Sequence, residues 1–456
     1  MLRPYQQEVA RAILRSIQEN KGFTFSVEIA RQGGKNELSA QLEVLLLTMF
    51  IARGGNAIKC SPTFKPQTVI SMMRLKERLD DFGFAGIWSS EMGYLLKLGA
   101  AHQIFLSAEK SSSVVGHTAD ILLEIDESQD ISKDKYTKEF RPMGSASNVT
   151  TVHYGTTWDD STLLEEVKQA NLDLEKKDGL KRHFRYDWQQ VARYNPEYGA
   201  FVEAERERLG EQHPLFKTQY ALVPVRSGGG FLSRQQLAQI LGKHPRIQQP
   251  DKKSRVYVAG IDLAGESEVI EEQVLTRPGR DATVITIAEI ESVHSSQTLT
   301  PPNIKVVEHY CWIGQKHPLL LNRLMDILKN TWGCSRIVVD ATGVGEPIAS
   351  LLKQALGSKV IPFKFSQKTK SEAGFDLLAA VNSDRLKLYR QDGSEEYREL
   401  MFELEKAKSI YRPNQTLNFF VDPGDGHDDY LMSLALVVQA ANKYVSRKAI
   451  GKQADS

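Results

Sequence analysis

Apolar positions in the first half of the chain fall into two alternating patterns. "RPYQQEVARAILRSIQE" carries helical periodicity, whereas "FTFSVEIA" is a short aromatic and β-branched run that predicts a strand. "NELSAQLEVLLLTMFIARG" returns to helix and stops at Gly54-Gly55. A strand at "NAIKCSP", a helix near "PQTVISMMRLKERLDDF" and strands at "HQIFLSA" and "DILLEID" follow. Such alternation predicts an N-terminal α/β domain over residues 1–226 with a mainly parallel sheet.

"VRSGGGFLS" breaks the pattern with three consecutive glycines. The polar, basic stretch that follows predicts a linker over 227–254 with one helix, "SRQQLAQILGK". From "RVYVAGIDLAG" a second α/β pattern opens, continuing through "TVITIAEI", "IKVVEHYCWI", a helix near "PLLLNRLMDILKNT", the strand "SRIVVDATG" and a last helix from "HDDYLMSLALVVQAANKYV". It predicts a second domain over 255–445, with 446–456 a frayed tail. No internal repeat is visible.

The 456 residues suffice for two or three domains, and 41% hydrophobic with 25% charged residues is ordinary for a soluble globular protein. Net charge is +1, so a surface for nucleic acid would be a local patch. Cys60, Cys311 and Cys334 are scattered without a CxxC pair, which argues against structural zinc or a disulfide framework and for a reducing, intracellular setting. The amphipathic opening is no secretory signal, and "VLLLTMFIA" falls far short of the roughly 20 residues that span a bilayer.

Candidate chemistry begins at "VEIARQGGKNELSA". Strand, glycine-rich turn and helix are the context of a phosphate-binding loop, in which backbone N–H groups (Gln32, Gly33, Gly34) and the helix N-terminus face phosphates and Lys35 reaches the β/γ oxygens. Two positions depart from the usual spacing. Ile29 stands where the first Gly belongs, and Asn36 replaces the Ser/Thr hydroxyl; its amide oxygen can still face Mg²⁺ or a metal-bound water. A surface turn before a helix is the plainer reading of this stretch by itself. "ILLEIDESQD" then ends an apolar run in Asp126 and Glu127, the Walker B arrangement: the first acid holds Mg²⁺ through its water shell, the second orients or deprotonates the attacking water. Glu124 interrupts that run and is the next candidate base. In "TVHYGTTWDD", Thr156 and Thr157 are candidate sensors of the γ-phosphate. "LRPYQQEVARAIL" resembles the adenine-reading segment of superfamily-2 helicases, which makes Tyr5 and Gln6 (or Gln7) the base-contacting candidates.

The second pattern holds Asp262 in "VYVAGIDLAG", Asp340 in "RIVVDATGVGEP" and Asp428-Asp429 in "GDGHDDYLMSLAL". Each alone is more often a turn or helix cap. Three such acids in one α/β domain suit hard cations, Mg²⁺ or Mn²⁺, and two ions can activate water and stabilise the leaving 3′ oxygen of a phosphodiester. Their order resembles the RNase H-like nuclease fold. Asp281 adds an outer ligand or ends a hairpin. His117 and His427 lack partners at ligand spacing and are read as solvent-exposed loop residues.

Taken in order, these motifs resemble the large terminase subunit of tailed bacteriophages over roughly residues 1–445; its phosphate loop often lacks the first Gly and carries Arg-Gln before Gly-Gly-Lys, here Arg31-Gln32. The resemblance implies a RecA/ASCE-like P-loop ATPase domain followed by an RNase H-like nuclease domain. It implies an ATP-driven motor that moves double-stranded DNA into a procapsid and a metal-dependent endonuclease that cuts concatemeric DNA. Lys35, Arg31, Asp126, Glu127, Thr156 and Thr157 match the motor motifs, and Asp262, Asp340 and Asp428, with Asp429 adjacent, match the nuclease acids. Implied partners are DNA, the small terminase subunit, the portal protein and further copies in a ring, a pentamer by the resemblance, acting in the host bacterial cytoplasm without a membrane. Arg141 in "KEFRPMGS" is the candidate arginine supplied in trans, a surface salt bridge being its commoner fate, and "KFSQKTK" (Lys364 to Lys370) is a candidate basic DNA loop. Two rival readings exist. A helicase-type repair translocase fused to an RNase H-like nuclease needs a second RecA-like motif set, which is not found before Gly228. A non-enzymatic capsid-docking protein would have Asn36 as the lesion of a decayed ATPase.

Overall fold

A computed structural model of the chain describes residues 1–109, 112, 114, 116–225, 228–252, 254–264, 282–291, 301–412 and 414–444. It divides into two compact units. Unit 1 comprises Met1–Ala204, Pro214–Arg226 and Pro413–Gln415; unit 2 comprises Glu205–His213, Ser227–Arg412 and Thr416–Ser456.

Unit 1 is built on β1 (Thr24–Ile29), β2 (Gly55–Ser61), β3 (Ser89–Glu91), β4 (Leu95–Leu98), β5 (Ala101–Ser107), β6 (Leu122–Ile125), β7 (Thr151–Gly155) and β8 (His183–Tyr186). Their order across the sheet is β3-β4-β5-β2-β6-β7-β1-β8. From β5 to β8 every neighbouring pair is parallel, and only the β3–β4–β5 edge is antiparallel. The expected mainly parallel α/β sheet is therefore present. Central strands in such a sheet are covered on both faces and read as continuous apolar runs; β6 and β7 are buried along their whole length. Because β6, β7 and β1 are parallel neighbours, the segments that follow them leave the sheet at one edge, the usual place for ligand sites in open α/β folds.

Unit 2 contains β9 (Val256–Asp262), β10 (Ala282–Glu291), β11 (Asn303–Ile313), β12 (Arg336–Asp340), β13 (Val360–Phe363) and β14 (Leu386–Lys387) in the order β13-β12-β9-β10-β11-β14, and a separate hairpin of β15 (Lys408–Tyr411) and β16 (Leu417–Phe420). β9, β10 and β11 are antiparallel, whereas β12 joins β9 and β13 in parallel. Alternate residues face two separate cores. Val258 and Val338 pack with Leu431, Leu434 and Val438 of the last helix, Asp429–Asn442. Ala259, Ile261, Ile337 and Val339 face the opposite side, against Leu320, Leu324 and Ile348. Gly260 lets the last helix settle onto β9: a Cβ there would lie 2.2 Å from the Val437 backbone nitrogen and 2.3 Å from the Ser433 carbonyl oxygen.

Two expectations need amendment. The polar stretch read as a linker is stitched into unit 2: Phe231, Leu232 and Ile240 are buried in its core, and Ile247 N–H donates to the Val307 carbonyl (2.9 Å). An adjacent apolar pair, Phe231-Leu232, and Ile240, diluted by polar neighbours, anchor it there. "KFSQKTK" is not simply a loop either. Ser366 caps the helix Gln367–Asn382 by accepting from the Thr369 amide (3.2 Å), Lys364 pairs with Glu346 (2.7 Å) and Lys370 sits 5.4 Å over the Phe419 ring.

Candidate functional site

The glycine-rich turn follows β1 and opens the helix Lys35–Met49. Its backbone needs glycine for two different reasons. A Cβ on Gly33 would lie 2.6 Å from Ile29 Cγ2 and 2.7 Å from the Ala30 carbonyl oxygen. Gly34, the residue before the helix, has φ +93°, in the left-handed region where a side chain is strained. Gln32 is also left-handed, at φ +61°. From below, Tyr5 O–H donates to the Gly33 carbonyl (2.6 Å) and Gln6 Nε2 donates to the Gly34 carbonyl (2.9 Å). Gln6 Oε1 accepts from the Arg3 amide (2.8 Å), so both ends of that side chain are engaged. Tyr5 is buried against Tyr186, with ring centroids 5.1 Å apart. Both residues brace the loop here.

Asp126 and Glu127 leave β6 beside it. Asp126 is buried, its amide donating to the Cys60 carbonyl (2.8 Å). Burial pushes its carboxyl up from the usual range, opposed chiefly by the ammonium of Lys59. Glu127 takes the left-handed conformation, φ +45°, and its carboxylate meets Lys35 Nζ at 3.1 Å and Gln129 Nε2 at 2.7 Å. Burial works against its charge, but Lys35 overcomes it and holds the carboxyl below the usual range. Glu124, by contrast, points away into the protein. It is fully buried and accepts from the Ser39 hydroxyl (2.7 Å), and burial raises its pKa strongly.

The coupling segment splits its two threonines. Thr156 faces the loop, its amide donating to Gln129 Oε1 (3.3 Å). Thr157 turns inward and donates to Glu28 Oε1 (2.7 Å), next to the last residue of β1. A cavity of about 420 Å³ opens over these groups, lined by Arg31, Gln32, Gly33, Gly34, Lys35, Asn36, Glu127 and Thr156. Sequence reasoning missed six further lining residues, Glu37, Gln67, Arg74, Asp130, Gln219 and Gln415. Asp130 lies in the same "DESQD" run as the acid pair, a signal within reach; burial raises its pKa to about 6. Gln67 and Arg74 come from a distant segment, and nothing local marks them. Arg141 begins a short 3₁₀ turn (Arg141–Gly144), is exposed and does not line the cavity.

In unit 2 the strand register brings the backbone positions of the acids together. Val339 pairs with Ile261 in parallel, which sets Asp340 beside Asp262 at the ends of adjacent strands. Each stands two residues after a position of the face that carries the last helix (Gly260, Val338) and so shares that face, and Asp428-Asp429 open that helix. Asp429 Oδ2 accepts from the Ala282 amide (2.8 Å), two residues before the Asp262 partner Val284. Asp340 Oδ1 accepts from the Thr342 amide (2.8 Å), and burial raises its pKa. Among the described residues no three His, Cys, Asp or Glu side chains form a ready metal-holding group. Two of the acids, Asp340 and Asp429, have side chains turned to neighbouring amides. Asp281 lies outside the described residues. His117 and His427 are half-buried and not solvent-exposed.

Residues 279–438 match the family model of the terminase RNaseH-like domain (Terminase_6C). No curated protein sequence matches the chain significantly. Among solved structures, the large terminase of a thermophilic bacteriophage is similar at 12% identity, over 96% of this chain and 98% of that one, with a TM-score of 0.54. The same phage protein in complex with ATP-gamma-S is similar at 12% identity over 96% and 99%, TM-score 0.53, and in complex with ADP at 12% over 96% and 99%, TM-score 0.53. The fold is that of large terminases, a P-loop ATPase domain followed by an RNase H-like domain. The likeness read from the motifs is borne out at that level.

Proposed function

We propose that this chain, with its large-terminase fold, is the large subunit of a phage DNA-packaging terminase: an ATP-driven translocase of double-stranded DNA and a metal-dependent endonuclease. One observation carries the motor half. Lys35, Glu127 and Thr156, from the segments after three neighbouring parallel strands, line one cavity. The nucleotide complexes of the thermophilic phage relative support the same reading.

In this reading the loop amides and Lys35 cradle the phosphates of ATP, and Arg31 adds charge at the cavity rim. Asp126 and Asn36, one carboxylate and one amide oxygen, would hold Mg²⁺, which when bound neutralises charge on the phosphate oxygens. Glu127 orients the attacking water and accepts its proton. Thr156 senses the γ-phosphate, and Thr157 ties that response to Glu28 of β1. Tyr5 and Gln6 support the loop from the side where the adenine reader is expected. Arg141, exposed on unit 1, is the arginine offered to a neighbouring copy. The motor is assigned to 1–226 and the nuclease to 255–445, with 227–254 carried by the nuclease unit.

At the second site the donors are oxygens alone, which suits Mg²⁺ or Mn²⁺. Asp262, Asp340, Asp428 and Asp429 would hold two such ions, which when bound activate water and stabilise the leaving oxygen. Their turn from neighbouring amides toward a cation is a side-chain rotation on a backbone already in register. The small terminase subunit, the portal and a ring of copies, pentameric by family likeness, are the proposed partners, in the host bacterial cytoplasm. Among the described residues no helix is long and apolar enough to cross a membrane.

The test uses the full chain. Lys35→Ala abolishes ATP turnover and leaves plasmid cutting intact, and mixing it with Arg141→Ala chains restores part of the turnover. Retained turnover in Lys35→Ala refutes the phosphate-loop assignment; no recovery in a mixture shown to co-assemble removes Arg141.

A further inference from the structure

We propose that Lys59 is a positioning residue of the ATPase site, acting from behind it; the inference rests on the ATPase reading above. Lys59 lies in β2, 2% exposed, and touches none of the cavity. Its ammonium donates to Ser39 Oγ (2.7 Å) and to Glu43 Oε1 (3.2 Å). The Ser39 hydroxyl donates onward to Glu124 Oε1 (2.7 Å).

Each of these partners sits on an element that ends in the site. Ser39 and Glu43 follow Lys35 at four-residue intervals, so all three share one side of the helix Lys35–Met49. Glu124 precedes Asp126 by two residues, hence on the same side of the strand line. Lys59 therefore fixes Ser39 and Glu43, on the helix that begins at the phosphate-loop lysine, to β2, and the Ser39 hydroxyl it holds ties that helix to the strand that runs into the acid pair. Apart from the Lys35–Glu127 pair in the site itself, loss of the Ser39–Glu124 bond would leave helix and strand to apolar contacts, which are non-directional.

The composition of the network argues for placement over stability. Burying a charge is costly, and well-packed apolar residues in the same volume often do as well or better. Among the described residues, Glu43 Oε2 and both amide atoms of buried Gln103 on the neighbouring strand β5 have no hydrogen-bond partner, so this interior is not fully satisfied. Directional bonds that start at a fixed cation and pass through the Ser39 hydroxyl set the separation of helix and strand, and with it the distances among Lys35, Asp126 and Glu127. Catalysis is sensitive to shifts of that kind.

Two variants separate placement from folding. Ser39→Ala cuts the link to β6 and keeps the Lys59–Glu43 pair. Lys59→Met/Glu43→Leu removes both charges together, so neither is left uncompensated. We expect both to bind a fluorescent ATP analogue within about threefold of the parent while kcat for ATP falls roughly 10- to 100-fold, and the double variant to melt near the parental temperature. A kcat within about twofold of the parent in either folded variant overturns the inference. So does a loss of kcat matched by an equal loss of nucleotide affinity, which would make the network a binding device. Should the double variant not fold, Ser39→Ala decides alone. A parent chain without ATP turnover would remove the ATPase reading as well; a parent with turnover and unaffected variants removes Lys59 only.

Discussion

Replacing Gly260 by alanine tests the packing that sets the acids of unit 2. The added Cβ would meet the Val437 nitrogen at 2.2 Å, the Ser433 oxygen at 2.3 Å and the Leu436 carbonyl carbon at 2.7 Å, all of them backbone atoms that no rotamer change can move. Ordinary contact begins at 3.4 Å, so helix and strand must part by about 1.2 Å (3.4 − 2.2). Parting also strains the Thr286–Ser433 hydroxyl bond, 2.7 Å long and buried between the same helix and the neighbouring strand β10. Overpacking costs about 1–3 kcal/mol and a buried hydrogen bond about 1 kcal/mol, together roughly 2–4 kcal/mol. For a unit of this size that is a fall of roughly 5–15 °C in Tm. Because Asp428 and Asp429 open the displaced helix, plasmid cutting should fall with it while ATP turnover survives. Differential scanning calorimetry of the full chain, with plasmid nicking in parallel, reads both. A Tm within about 1 °C of the parent together with full cutting would refute the close approach at Gly260.

Three further outcomes follow from the site geometry. Glu127→Gln should bind nucleotide and lose roughly 10²- to 10⁴-fold in kcat; normal turnover in a phosphate-release assay would place the base elsewhere, and Glu124 is already excluded by its burial against Ser39. Asp262→Asn, Asp340→Asn and Asp428→Asn should each abolish plasmid cutting, leave ATP hydrolysis largely intact and regain part of the cutting at high Mn²⁺; full cutting by any one removes that acid from the site. His153 is fully buried between Ser128 and Tyr136, and burial drives its pKa down to about 3. The folded chain then binds fewer protons than the unfolded one between about pH 6.5 and 3, so this contribution is intact above 6.5 and drains away as pH falls. By pH 5 the parent should have lost about 2 kcal/mol relative to His153→Gln, measured from paired denaturant titrations at pH 8 and 5; parallel pH profiles would show that the ring is not held neutral.

Legibility in the sequence followed the strength of local signals. β1, β6, β9 and β12 are short apolar runs leading into a glycine-rich turn or an Asp, and both their existence and the exit of the loop or acid at their ends could be read directly. The β3–β4 edge could not, since "SSE" is exposed along its length and "LLKL" is only four residues long. Phe231 and Ile240 were lost among polar neighbours, although each is a core residue of unit 2. Contacts distant in sequence were the least legible. Glu124 looked like a flaw in an apolar strand until Ser39, 85 positions away, was seen to meet it and Lys59 to meet Glu43 and Ser39, 16 and 20 positions away. The same limit hid Gln67 and Arg74 from the cavity and the inward turn of Thr157.

In the ATPase reading, the pairing of Lys35 with Glu127 would make nucleotide capture an ion-exchange reaction. The phosphates can take the lysine only by depriving the glutamate of its counter-ion, 3.1 Å away. A bare polyanion would then leave a partly covered carboxylate facing like charge, an arrangement that repels the very ligand that created it. A nucleotide that brings its own divalent cation returns positive charge to the acidic side in the same step. On that reading, selectivity for the metal complex over free nucleotide would follow from this salt bridge, and an excess of uncomplexed ATP should compete poorly for the site. The exchange would also work as an interlock: while the lysine is unclaimed the glutamate is paired with it, and the phosphate that takes the lysine would free the base to act beside it.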